Sequence, residues 1–209
     1  MSKVFYTLCT LVIILAYSCQ QSKPFKKEAT ASITIDVQPF ADISPADSKF
    51  VFNEIKKVYP NVVLKSAIPL PQSAFYSLRN RYRADTLIQF LSSHTSADHV
   101  TIGLSNKDIS TSKDTITDWG VMGLGFCPGK VCIASSFRLS KSEKLQQLFK
   151  VAIHELGHTQ GLPHCEVPSC FMRDAEGHNP TNEEKDFCPA CKKILEKKGW
   201  AFTTASKEK

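Results

Sequence analysis

The stretch His154-Glu155-Leu156-Gly157-His158-Thr159-Gln160-Gly161-Leu162-Pro163-His164 combines a helix, its end and three histidines in eleven residues. Upstream, Leu145, Leu148, Phe149, Ala152, Ile153 and Leu156 recur at i, i+3, i+4, i+7, i+8 and i+11, the apolar stripe of an amphipathic helix. Ser140-Lys141-Ser142-Glu143 has the form of a capping box in front of it. Gly161 is expected to close the helix, with Pro163 just beyond. Residues four apart on a helix are rotated by about 40° and displaced by about 6 Å. His154 and His158 can therefore reach one ion at the roughly 2.0–2.1 Å of a zinc–imidazole bond. Gly161 allows a left-handed exit, which lets His164 fold back as a third ligand. Three protein ligands leave one position for water, the coordination of a catalytic rather than a structural zinc. Glu155 is off the face of the first ligand. Its expected role is to take the proton of zinc-bound water, whose pKa zinc lowers to about 7, and hand it to a leaving amine. HExxH alone also occurs on helices that merely carry histidines. The extension to HExxHxxGxxH on a capped helix makes the pattern specific.

Cys165 follows His164 directly, Cys170 comes five later, and Cys188-Pro189-Ala190-Cys191 forms a CxxC. Four thiolates in a short segment match a tetrahedral structural zinc, which would staple a tail with little core of its own. In an oxidising compartment the same four could instead pair as two disulfides. Cys127 and Cys132 flank the turn Cys127-Pro128-Gly129-Lys130. They either form a disulfide across that hairpin, if the chain is exported, or act as small buried hydrophobes.

Working outward, 209 residues suit one main domain with a small appendage. Hydrophobic residues make up 42%, enough for a core and too few for a multi-span membrane protein. The net charge of +6 is scattered, without the aromatic-interleaved basic stripe of a nucleic-acid binder. At the start, Lys3 precedes a mostly apolar run from Val4 to Tyr17. That run is short for a bilayer span of about 20 residues and fits the h-region of an export signal over residues 1–18. Ser18-Cys19 resembles the cleavage and lipidation site of bacterial lipoproteins, although Leu15 lies one place further from Cys19 than usual. Ordinary secretion, an uncleaved anchor and no anchor at all are the alternatives. Residues 19–30, polar and aperiodic, read as a tether.

Ser32 to Val37 alternates with the period of a strand. Ser44-Pro45-Ala46-Asp47 opens a helix. Val62 to Leu64 and His99 to Leu104 read as strands, and Arg83 to Leu91 as a helix. Gly120 to Phe126 and Val131 to Ala134 read as two more strands joined by the turn. Thr181-Asn182-Glu183-Glu184 is a second capping-box candidate, and Pro189 to Lys198 a final helix with Gly199 past its end. His94, His99 and His178 have no ligand spacing and read as surface or hydrogen-bonded histidines.

HELGHTQGLPHCEVPSCFM at 154–172, followed by FCPAC at 187–191, resembles the signature of the archaemetzincins, within the metzincin clan of metallopeptidases. HVTIGLSNKDIS at 99–110 and the segments GVMGLGF and VCIASSFRL are similar to sheet segments of that family, less diagnostically. The resemblance implies an α+β fold: a twisted mixed sheet with backing helices, an active-site helix, and a small four-cysteine zinc subdomain. Residues 31–161 would form the upper subdomain and 162–209 the carboxyl-terminal one. It implies catalytic zinc on His154, His158 and His164, general base Glu155, and a structural zinc on Cys165, Cys170, Cys188 and Cys191, two ions per chain. Met172 maps to the Met-turn, a hydrophobic floor under the histidines. Substrate would lie extended along an edge strand made by Gly120, Val121, Met122, Gly123, Leu124, Gly125 and Phe126, adding a strand where glycines allow close approach. Together these imply an exported bacterial zinc peptidase, lipid-anchored through Cys19 and facing the periplasm or the cell surface. The alternative is a catalytically silent zinc module that binds peptides, which would have no need of Glu155. Endopeptidase and aminopeptidase action stay open. Two departures stand out: only fifteen residues separate Met172 from Cys188, and an export signal is unusual beside intracellular members.

Overall fold

The computed structural model describes residues 33–175 and 177–202. Cys19, the signal and the tether lie outside them. A five-stranded mixed sheet runs through the middle in the order β2 (Val62–Leu64), β1 (Thr34–Pro39), β5 (His99–Ser105), β9 (Val131–Ser135) and β8 (Gly123–Gly125). The first four are parallel and β8 runs antiparallel on the edge. Parallel strands need cover on both faces, and β1, β5 and β9 are buried almost throughout. On one side Ile35, Val37, Ile102, Leu104 and Cys132 meet α1 (Pro45–Val58) and α3 (Lys144–Thr159). On the other, Val131 and Ile133 meet Leu87, Ile88 and Leu91 of α2 (Ala84–Ser92).

A second sheet has the order β3 (Phe75–Tyr76), β4 (Arg81–Arg83), β6 (Ile109–Lys113) and β7 (Ile116–Val121). Sequence reasoning missed it, because its strands are short and half-exposed, with little alternation. Ion pairs tie it down: Asp108 takes Arg138 bidentately at 2.8 and 3.0 Å, and Arg81 joins Asp108 to Asp118 at 2.7 and 2.9 Å. The expected strand over Gly120 to Phe126 is thereby split. Gly120 and Val121 pair with β6, whereas Gly123 to Gly125 pair with β9.

The helix ends test the capping expectations. Ser44 caps α1, its hydroxyl accepting from the Asp47 amide at 3.0 Å. Ser140 does not cap α3, which begins after Glu143 without a side-chain cap. Instead the Ser140 amide is taken by Gln147 Oε1 at 2.9 Å, one turn inside the helix. No helix follows Thr181 either; its hydroxyl bonds Asn179 Oδ1 at 2.7 Å within a turn. The last helix, α4 (Pro189–Lys197), forms as expected. Its Cys191 and Leu195, with Leu162, Phe171, Met172, Phe187 and Trp200, belong to the same core cluster as α1 and the main sheet. Among the described residues no helix is long and apolar enough to cross a membrane.

Ile102, fully buried on the central strand β5, tests this packing. Ile102→Ala is expected to cost about 2–5 kcal/mol, read as a lower urea midpoint with an unchanged slope.

Candidate metal centre

α3 buries Leu148, Phe149, Ala152, Ile153 and Leu156 and turns His154 and His158 outward at its last two turns. The helix then stops in a Schellman turn. The Gly161 amide bonds the His158 carbonyl at 2.8 Å and the Leu162 amide bonds the Gly157 carbonyl at 3.1 Å, with Gly161 at φ +86°. A side chain at Gly161 would have room but the wrong backbone. The reversal brings His164 back over the helix. Ring centroids of His154 and His158 are 4.6 Å apart, and His164 lies 5.4 and 4.9 Å from them. One ring nitrogen from each falls within 4.8 Å of the others.

The remaining nitrogens are spoken for. His154 Nδ1 donates to the Phe171 carbonyl at 2.6 Å and His158 Nδ1 to the Leu162 carbonyl at 2.8 Å. His164 Nδ1 lies 3.1 Å from Asp174 Oδ2. Carbonyls only accept, so the proton sits on Nδ1 and Nε2 is left bare for a cation, the usual outer support of a metal histidine. Burial, followed by the charge on His158, pushes the His154 ring down to about 3, and burial lowers His158 also. Neutral rings are what a metal needs. Three bare imidazole nitrogens fit zinc. Asp174 was not foreseen, since nothing in its spacing distinguishes it from a surface acid.

Glu155 is only 8% exposed. Burial pushes its carboxyl up to about 8, and a divalent cation at the histidines would oppose that rise. It rests on β8: a Cβ at Gly123 would come within 2.5 Å of Glu155 Oε1, and one at Gly125 within 2.8 Å of the Glu155 carbonyl. The glycines of the edge strand thus make room for the glutamate, beyond any role toward substrate. Gly157 is needed in the same way, because a Cβ there would collide with Met172 Sδ. Met172 is fully buried, with its sulfur against Gly157 of the helix.

The three histidines and Glu155 line one cleft of about 790 Å³. Its upper wall is Gly120 to Gly125 with Arg138, α3 contributes Lys150 and Val151, and its lower wall is Arg173 to Ala175, Gly177 to Thr181 and Glu184. Phe126 is not part of the lining; it is half-exposed past the end of β8. The lower wall is bound to α3 through Asn179 and Asn182 on Gln147, both at 2.9 Å, and Lys150 on the Thr181 carbonyl at 2.6 Å. His178 lines the cleft apart from the three-histidine group, His94 bonds the Phe90 carbonyl, and His99 pairs with Asp36.

Cys165, Cys170, Cys188 and Cys191 converge, all four sulfurs within 4.8 Å. Cys165–Cys188 and Cys170–Cys191 are 3.8 Å apart. A disulfide needs about 2.05 Å, whereas sulfurs about 2.3 Å from a tetrahedral zinc lie roughly 3.8 Å from one another. The thiols therefore fit zinc and are free. Cys127 and Cys132 do not bridge. The β8–β9 register sets Gly125 opposite Cys132, whose sulfur faces the Thr101 carbonyl, while Cys127 reaches the Leu162 carbonyl.

Comparison with known proteins agrees with this geometry. The sequence profile of Peptidase family M54 matches residues 30–197. An archaemetzincin of Halobacterium salinarum is 28% identical over 179 residues, covering 77% of this chain and 98% of its own. One from Methanopyrus kandleri is 28% identical over 139 residues, covering 65% and 77%. The crystal structure of the Methanopyrus kandleri archaemetzincin superposes with a TM-score of 0.68 at 23% identity, covering 80% of this chain and 95% of that one. That of Archaeoglobus fulgidus gives 0.66 at 24% identity, covering 78% and 99%.

The contact between Gly157 and Met172 yields a signed expectation. Alanine is a better helix former than glycine by about 1 kcal/mol, but overpacking costs about 1–3 kcal/mol. Gly157→Ala should lower stability in the natural background and raise it in a Met172→Ala background. A urea-unfolding double-mutant cycle reads the change of sign.

Proposed function

This chain belongs to Peptidase family M54 and is a zinc metallopeptidase acting on peptide or protein substrates, and on that premise we propose that His154, His158 and His164 hold its catalytic zinc and Glu155 is its general base. One observation carries this reading: three imidazoles with bare nitrogens and one buried carboxyl share a cleft bordered by a free sheet edge. Zinc held by the three rings would supply Lewis acidity, making a water a competent nucleophile near neutral pH and polarising the scissile carbonyl. Glu155 takes the proton of the attacking water and delivers it to the leaving amine. Its seat on Gly123 fixes the carboxyl in place and keeps bulk water from it. Strand β8 offers its outer backbone groups to an extended peptide, which adds as a further strand.

The second part of the reading assigns a structural zinc to Cys165, Cys170, Cys188 and Cys191, giving two ions per chain. The 3.8 Å sulfur spacings support it. The third part is export and anchoring through a lipid on Cys19. It is supported by the charge, apolar run and Ser18-Cys19 order of residues 1–19.

Glu155→Ala should retain zinc and lose about 10²- to 10⁴-fold in kcat/KM on a peptide library. Wild type and variant equally inert at full zinc loading would sink the assignment. Metal analysis should return two zinc ions per chain, with the tail thiols reactive once the protein is denatured and chelated. One ion and four unreactive cysteines would mean disulfides in the tail.

A further inference from the structure

Glu184 is a buried carboxyl that the proposed reaction leaves without a task. Its sequence context reads as a cap, yet no helix follows, and the side chain turns inward to 3% exposure. It lines the same cleft as Lys150, Val151 and Thr181. Its Oε2 is sealed from solvent and has no hydrogen-bond partner among the described residues.

The two nearby cations act on it through charge, but their hydrogen bonds go to other groups. Lys150 Nζ donates to the Thr181 carbonyl at 2.6 Å, and Arg173 Nη1 to Glu183 Oε2 at 2.6 Å. Burial pushes the Glu184 carboxyl up to about 7, against the opposing pull of Lys150 and Arg173. Near neutrality a large share of it is ionised and can only accept hydrogen bonds. A buried acceptor with no donor is costly to the fold, and the cost is relieved when a donor arrives through the cleft. An apolar substrate side chain would leave the oxygen unpaired, as it is in the free protein. An acidic one would set two carboxylates against each other. A cationic one supplies both donors and opposite charge.

We propose that Glu184 is a specificity residue that accepts the lysine or arginine side chain of a substrate residue flanking the scissile bond. This rests on the reading that the cleft binds and cuts peptides. The ligand is named by its chemistry, a flexible apolar stem ending in a cationic nitrogen. The stem would pass Val151, and the head would meet the carboxyl.

The test uses zinc-loaded full-length protein and peptides acetylated at one end and amidated at the other, so that no free terminus mimics the side chain. One peptide sequence carries lysine, or the uncharged norleucine with a like stem, at each position beside the cleaved bond. In wild type, kcat/KM for lysine should exceed that for norleucine about tenfold or more at one position. In Glu184→Gln the ratio should fall to near one, and in Glu184→Asp, which keeps the charge, it should stay above that of Glu184→Gln. A wild-type preference for norleucine, or a ratio identical in wild type and Glu184→Gln, overturns the proposal. Binding of the lysine peptide to zinc-loaded Glu155→Ala provides an arm that needs no turnover. Adding Glu184→Gln should weaken it about tenfold, and equal affinities overturn the assignment. Absence of cleavage in wild type would count against the peptidase site, while the binding arm still decides the role of Glu184.

Discussion

The left-handed residue that ends α3 is the constraint on which the rest of the site depends. Had the helix continued past Thr159, His164 would sit on its far end and the backbone would have no carbonyl to offer His158. Because Gly161 turns the chain, Leu162 O fixes one ring, His164 comes back as a neighbour of both helical histidines, and Leu162 enters the core. The Phe171 carbonyl, which holds His154, sits one residue before Met172 and comes from the segment after that reversal. A single backbone angle therefore orders two of the three rings through their outer partners.

Packing tolerances then narrow the site. Gly157 admits the Met172 sulfur beneath the helix, and Gly123 admits the Glu155 carboxyl on the other side. The helix that carries His154 and His158 is braced by the methionine at Gly157, and the Glu155 carboxyl by the sheet edge at Gly123. Interiors packed at crystal-like density leave no slack for a methyl group at such points. The glycines of the edge strand looked, from sequence, like accommodation for substrate, but the structure shows them occupied first by the protein's own catalytic candidate.

What was legible followed from strong local rules. The apolar stripe of α3, the glycine after it, the Ser44 cap and the three histidines each announce themselves within a few residues. The four cysteines were legible for the same reason, although they span a longer segment. What was not legible depends on partners distant in sequence. Gln147 captures the Ser140 amide that a capping box would have used, and nothing near Ser140 signals it. The pattern at Thr181 matches a cap by residue type, yet Asn179 and the burial of Glu184 make it a wall of the cleft. The second sheet joins Arg81, Asp108, Asp118 and Arg138 across nearly sixty positions, with too little periodicity in any one strand to reveal it. Asp174 acquires meaning only through His164.

The sulfur cluster and the imidazole cluster are not separate modules. Cys165 is bonded directly to His164, its amide is held by the Met172 carbonyl at 2.8 Å, and Cys170 Sγ accepts from the Met172 amide at 3.5 Å. His164 and Met172 are therefore both tied to the thiol framework. None of the four thiols lines the cleft, so a reagent that disrupted them would reach the third ring through the backbone alone.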